Sequence, residues 1–164
     1  MALPTKILPG FSATLYAQPT ASPTPLTTSA LSTYASVSAL AISGNLVPVE
    51  AIPAFGQDDA VASFGVAGSR QSDKIPVQSA PTSLTITAAW NPSDTVLLLL
   101  RADAYNGTVD RTYVISATDG TNIINYAFNG RVGQWNIDSS PSAEAKVTFT
   151  IHPRGNQYGW SNSV

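Results

Sequence analysis

Apolar and polar positions alternate cleanly only in the second half of the chain. In "SLTITAAW", Leu84, Ile86, Ala88 and Trp90 fall on one face and Ser83, Thr85 and Thr87 on the other, the period-two pattern of a half-buried strand. "RTYVISA" (111–117) predicts a second strand. "TDGT" (118–121) predicts a turn whose Asp-Gly pair suits a tight hairpin. The return strand sets Ile124, Tyr126 and Phe128 opposite Asn125, Ala127 and Asn129. Beyond Gly130 and Gly133 the apolar phase moves from even positions to odd ones, Trp135 and Ile137, which places a β-bulge near those glycines. "AKVTFTIHP" (145–153) predicts a last strand with Val147, Phe149 and Ile151 inward.

The first half is less regular. We expect a strand at 12–18, a proline-rich loop at 19–28, and strands at 34–42 and 46–55 parted by a Gly44-Asn45 turn. Pro48 and Pro53 mark the second of these as an edge or bulged strand. Residues 1–12 read as an N-terminal arm and 154–164 as a C-terminal arm that docks through Tyr158 and Trp160. Residues 56–80, with glycines and clustered charges but weak periodicity, read as a loop too long to be idle in a compact domain.

A single helix interrupts the strands. In "WNPSDTVLLLLRADAYNG" Asn91 suits the N-cap, Pro92 the first helical position and Asp94 the third, where it meets the helix dipole. Leu99, Val96, Leu100, Ala104 and Leu97 then share an arc of about 160°, the stripe a helix lays on a sheet. Leu98 projects on the far side between Asp94 and Arg101, which makes it a candidate subunit contact.

Composition changes this picture in one respect. The 164 residues are expected to form one domain, 43% hydrophobic but only 11% charged, against roughly 25% in ordinary soluble domains. Between Lys6 and Glu50 there is no Asp, Glu, Lys or Arg at all, so we expect part of that surface to be covered by other subunits. The net charge of −2, a pI near 5.1 and the lack of a basic run argue against a nucleic-acid-binding face. The apolar run that ends at Arg101 is far short of the ~20 residues that span a bilayer, and the proline and glycine of "MALPTKILPGF" break any signal-peptide core. Synthesis in the cytoplasm is expected.

Little in the chain carries chemistry. With no cysteine there is no disulfide, thiol nucleophile or thiolate metal site. His152 stands alone on the polar face of the last strand, a poor metal ligand or general base without a second His. Asp58 and Asp59 are adjacent, so on extended backbone they point apart. Gly65 and Gly68 are a fragment of a glycine motif outside any strand-to-helix setting, and the "NGT" at 106–108 is a glycosylation pattern in a chain with no secretion signal. We therefore expect no catalytic, cofactor-binding or metal residues, and no enzyme; a small hydrolase has no credible constellation here. A carbohydrate-binding β-sandwich module is the alternative, with Tyr126, Trp135, Tyr158 and Trp160 as a stacking platform.

The block from Ser83 to Gly155 resembles the siphophage major tail tube proteins. It carries, in order, a strand ending in "AW", "NP" opening a helix, a strand pair with a glycine turn, "NGRVGQW", and "AKVTFTIHPRG". Upstream, "GFSATLY", "YASVSALAI" and "VPVEAIPAFGQDDA" sit where that family has its first strands and the start of a long acidic loop. The resemblance implies a mainly β fold, a sandwich or barrel of antiparallel strands flanked by one α-helix, similar also to type VI inner tubes. It implies one tube domain over 1–164 whose copies form hexameric rings stacked into the tail tube. Ring-to-ring contacts would fall on the 56–80 loop at Asp58, Asp59, Arg70, Asp73 and Lys74, helped by the arms. Neighbours within a ring would meet at Leu98 and at strand edges. The implied partners are further copies of the chain, tape measure, tail terminator and distal tail proteins, and DNA passing through the lumen without specific binding. No cofactor and no membrane are implied. The implied location is the virion tail, assembled in the host cytoplasm.

Overall fold

A computed structural model describes residues 12–64, 73–118, 123–139 and 144–161. Its strands are β1 (Ser12–Ala17), β2 (Leu46–Val47), β3 (Val49–Ala51), β4 (Gln57–Phe64), β5 (Asp73–Pro81), β6 (Leu84–Ala89), β7 (Arg111–Thr118), β8 (Ile123–Asp138) and β9 (Lys146–Ser161). Three helices accompany them, α1 (Thr28–Leu31), α2 (Tyr34–Ser38) and α3 (Thr95–Asn106). Seven strands form one antiparallel sheet in the order β2-β1-β7-β8-β9-β6-β3, while β4 and β5 pair only with each other. The two edges of the large sheet, β2 and β3, are consecutive in the chain with only Pro48 between them. The sheet therefore curls until it is a nearly closed barrel. The prolines expected to mark an edge do so, and β3 carries a register shift between Val49 and Ala51.

The inner face fills the barrel. Leu84, Ile86 and Ala88 from β6, Val147, Phe149 and Ile151 from β9, and Tyr113, Ile115, Phe128 and Val132 from β7 and β8 form one buried cluster with Val96, Leu97 and Leu100 of α3. The alternation read in β6 and β9 thus selects the core face. Trp135 stacks on Phe149 with ring centres 5.3 Å apart and meets Trp90 edge-on at 5.9 Å. The bulge expected after Gly130 lies between Gly133 and Trp135, where Gln134 is the extra residue and takes a positive φ of 48°. It restores the inward phase for Trp135.

A second layer covers the outer face of β7 and β8. Leu31 and Val37, from α1 and α2, pack with Val114 and Ala127, joined by Tyr16, Leu26, Leu40 and Ala41. This corrects the strand expected at 34–42 and raises one helix to three. Val37, Leu40 and Ala41 are spaced three and four apart and lie on one side of a short helical turn. Thr27 caps α1 by accepting from the Ala30 amide at 3.3 Å. The connection is clasped by a polar ring: the Leu26 amide donates to Thr112 Oγ1, Thr112 Oγ1 donates to Asn129 Oδ1, and Asn129 Nδ2 donates back to the Leu26 carbonyl. Much of the apolar content of the charge-free segment is therefore covered by its own chain.

α3 starts three residues later than the sequence implies. Asp94, not Asn91, is the N-cap, its Oδ1 accepting from Val96 and Leu97 amides at 2.9 and 3.0 Å. Asn91 Oδ1 instead accepts from the Ser93 amide and closes a turn that Pro92 begins. At the other end Gly107, with φ of 67°, donates to the Asp103 carbonyl and stops the helix. The buried stripe is Val96, Leu97, Leu100 and Asp103, with Leu99 and Ala104 half-buried, so it is turned slightly from the arc centred on Leu99. Residues 56–80, read as a loop, contain the β4–β5 ribbon, a two-stranded pairing that needs no amphipathic alternation to satisfy its backbone. The C-terminal arm is likewise a strand through Ser161. It continues past Gly155, whose φ of 74° accommodates an irregular pairing.

Candidate assembly surfaces

Beyond the barrel body, β1, β7, β8 and β9 extend as a four-stranded overhang. β9 pairs with β6 only from Lys146 to Ile151, yet it pairs with β8 as far as Ser161. β1 pairs with β2 only at Leu15 and Tyr16, yet with β7 from Ser12 to Ala17. Among the described residues, the overhang thus has a backbone edge without a ladder partner on each side, β9 beyond Ile151 and β1 before Leu15. Such edges are templates for another strand. Tyr158 stands opposite Ala127 and Trp160 opposite Asn125 in this extension.

The five charged residues expected to act together are not one cluster. Asp58 and Asp59 pair with Ala80 and Ser79 near the base of the β4–β5 ribbon, whereas Asp73 and Lys74 pair with Phe64 and Ser63 at its far end. Arg70 lies outside the described residues, as does the N-terminal arm before Ser12. Leu98 is 40% exposed on α3, on the same side as the exposed Tyr105, over whose ring the Arg101 guanidinium sits at 5.8 Å.

Two charged groups that sequence reading missed fix the barrel near this end. Asp103 and Arg111 are both buried, with Arg111 Nε donating to Asp103 Oδ2 at 2.7 Å and its Nη1 donating to the carbonyls of Gln18 and Thr20. A signal existed, since Asp103 falls on the apolar stripe with Val96 and Leu100. At the surface, Asp110 accepts from Arg131 Nε at 2.6 Å and from Arg154 Nη1 at 3.0 Å. The hydrogen bond from Arg131, outweighing burial and aided by Arg154, holds the Asp110 carboxyl below the usual carboxylate range. At the opposite end Lys146 donates to Glu50 at 2.8 Å, and that hydrogen bond pushes the ammonium up.

The outer face of β6, β9 and the adjoining half of β8 bears hydroxyls in register. Thr85 stands opposite Thr150, and Thr87 opposite Thr148. Thr150 Oγ1 donates to Gln134 Oε1 at 3.3 Å, and Ser83 Oγ and His152 Nδ1 are 2.9 Å apart. Gly133 leaves room for the His152 ring, which a Cβ there would meet at 3.0 Å. His152 is exposed, as its strand position predicts. Among the described residues no group of three or more His, Asp or Glu could hold a metal ion, and no helix is long and apolar enough to cross a membrane. Of the four aromatics weighed for a sugar platform, Tyr126 and Trp135 pack against the core instead.

No family model and no curated protein sequence matches the chain. Solved structures do. One is a chain of the anti-feeding prophage (AFP) baseplate, determined by cryo-EM with 6-fold symmetrisation. It superposes with a TM-score of 0.61 at 12% identity over 98% of this chain and 97% of that one. Another is a chain of the SPP1 tail tube, from solid-state NMR and cryo-EM, with a TM-score of 0.54 at 9% identity over 90% of this chain and 75% of that one. The barrel, the helix packed into it and the protruding ribbon thus constitute a phage tail tube-like fold.

Proposed function

We propose that the protein is a structural subunit of a phage-type tail, closing into hexameric rings that stack into a tube for DNA ejection. The observation that carries this reading is the overhang whose edge on each side has no ladder partner among the described residues, within a fold shared with a chain of the SPP1 tail tube. When the β9 edge of one copy pairs with the β1 edge of the next, every contact is head-to-tail, and such contacts close into a ring if the rotation per step is right. A closed ring leaves no edge to aggregate. Leu98 lies between neighbours, and the ribbon with Asp58, Asp59, Arg70, Asp73 and Lys74 meets the next ring, where charges of both signs set register more than affinity. The arms assist, through Tyr158 and Trp160 at the C-terminal end. Tape measure, tail terminator and distal tail proteins complete the structure in the virion tail, after assembly in the host cytoplasm.

Electron microscopy of the purified protein, with light scattering across a concentration series, tests this. Rings of hexameric mass or stacked tubes are expected; a species that stays monomeric at high concentration overturns the reading.

A further inference from the structure

The tube reading leaves open which side of the barrel faces the channel, and the outer face of β6 and β9 carries an answer that rests on that reading. We infer that this hydroxyl-lined face is the lumen wall. Two other sides are covered within the chain: α1 and α2 lie on the outer face of β7 and β8, and α3 packs into the barrel from β8 towards β2. The outer face of β6 and β9 instead carries a strip of three cross-strand rows, bounded at one end by Asp138 and Lys146, the latter paired with Glu50, and at the other by Arg154, paired with Asp110. Asn136, Thr148 and Thr87 form the first, Gln134, Thr150 and Thr85 the second, and Arg131, His152 and Ser83 the third.

Arg131 alone in these rows has a fixed charge, and Asp110 accepts its guanidinium. The strip fits neither of the other two fates of a protein surface. A free surface facing bulk water keeps charged residues. The centre of a subunit contact is apolar and aromatic. A wall along which a polyanionic duplex slides needs the opposite of both: polar side chains, no apolar patch to stick to bases, and no lysine or arginine without a carboxylate partner to hold phosphates. Arg131, Arg154 and Lys146 meet that condition through Asp110 and Glu50. Each cation presented to the duplex would add a phosphate contact and slow its passage. Gly133 has no side chain to displace His152, and the buried Thr150 hydrogen-bonds sideways to the exposed Gln134 and Thr85.

The sequence has no cysteine, so single-cysteine variants report one position each. Thr85→Cys and Asn136→Cys, both exposed in the isolated chain, are treated with biotin-maleimide in dissociated and in assembled protein, then probed with streptavidin. If the strip lines the lumen, the small reagent reacts in both states, while streptavidin binding is lost in tubes and returns when the tubes are dissociated. Streptavidin decorating intact tubes places the strip outside and overturns the inference. So does protection from the small reagent, which means burial between subunits. Failure of the unmodified protein to form any tube is a different result, since it removes the tube reading on which this one stands. With two positions, a variant that fails to assemble still leaves the other to decide.

Discussion

Arg111 is fully buried in a chain with few charges, and its guanidinium ties two parts of the molecule to β7: Asp103 near the end of α3, and the carbonyls of Gln18 and Thr20 in the segment that leaves β1. Removing the carboxylate leaves a cation without its counter-charge in the interior. Asp103→Ala is therefore expected to lower folding stability by about 3 kcal/mol or more, read from the midpoint of urea unfolding. Asp110 behaves differently because it is at the surface. Its pKa is held down in the folded state by Arg131 and Arg154, so its contribution is present above the unfolded carboxylate pKa and is lost as pH falls through the folded value. Between about pH 5 and pH 3 the unfolding midpoint of the protein should drop, and it should drop less in Asp110→Asn; equal slopes would mean that the pair adds nothing. Neither network was readable from the sequence. Asp103 lies on the helix stripe where an apolar residue is expected, but its partner is set by how β7 approaches that stripe.

The elements with one buried and one open face were legible. β6 and the Lys146–Ile151 part of β9 alternate as read, and the phase change after Gly133 marks the bulge at Gln134, whereas β7 and the part of β8 paired with it are buried on both faces, Asn125 and Ala127 included. What defeated the pattern was context. α2 is short, and its Tyr34, Val37 and Ser-rich composition favours a strand until the outer face of β7 and β8 is there to receive it. The ribbon was read as a loop because two strands paired only with each other leave little imprint on periodicity. At the surfaces, Leu98 and its exposure were legible, but the free edges of β1 and β9 were not, since they exist only once the register of four strands is known. The two glycines of β8 also differ in a way the sequence hides. A Cβ at Gly130 would lie 3.0 Å from the His152 carbonyl oxygen, whereas at Gly133 it would meet the end of the His152 ring, which can swing aside. Gly130→Ala should cost about 1–3 kcal/mol in thermal or chemical unfolding, and Gly133→Ala clearly less. A reversed order would show that the imidazole is the more rigid neighbour.

For the whole molecule, folding and assembly load different surfaces. Leu98 is 40% exposed and lies outside the barrel's core cluster, so Leu98→Glu should leave the melting temperature within a few degrees of the unmodified protein while reducing ring formation in light scattering. Normal rings from that variant would move the contact elsewhere. The tripeptide Val47-Pro48-Val49 finds Leu15 on one side and Ala88 on the other, partners far apart along the chain. It holds β1 and β6 to each other through a single proline-linked pair of short strands, and so fastens the two edges of the curled sheet. Were that clasp opened, β1 and β6 would each offer a further unpaired margin to a neighbouring copy, so the proline link confines strand addition to the overhang.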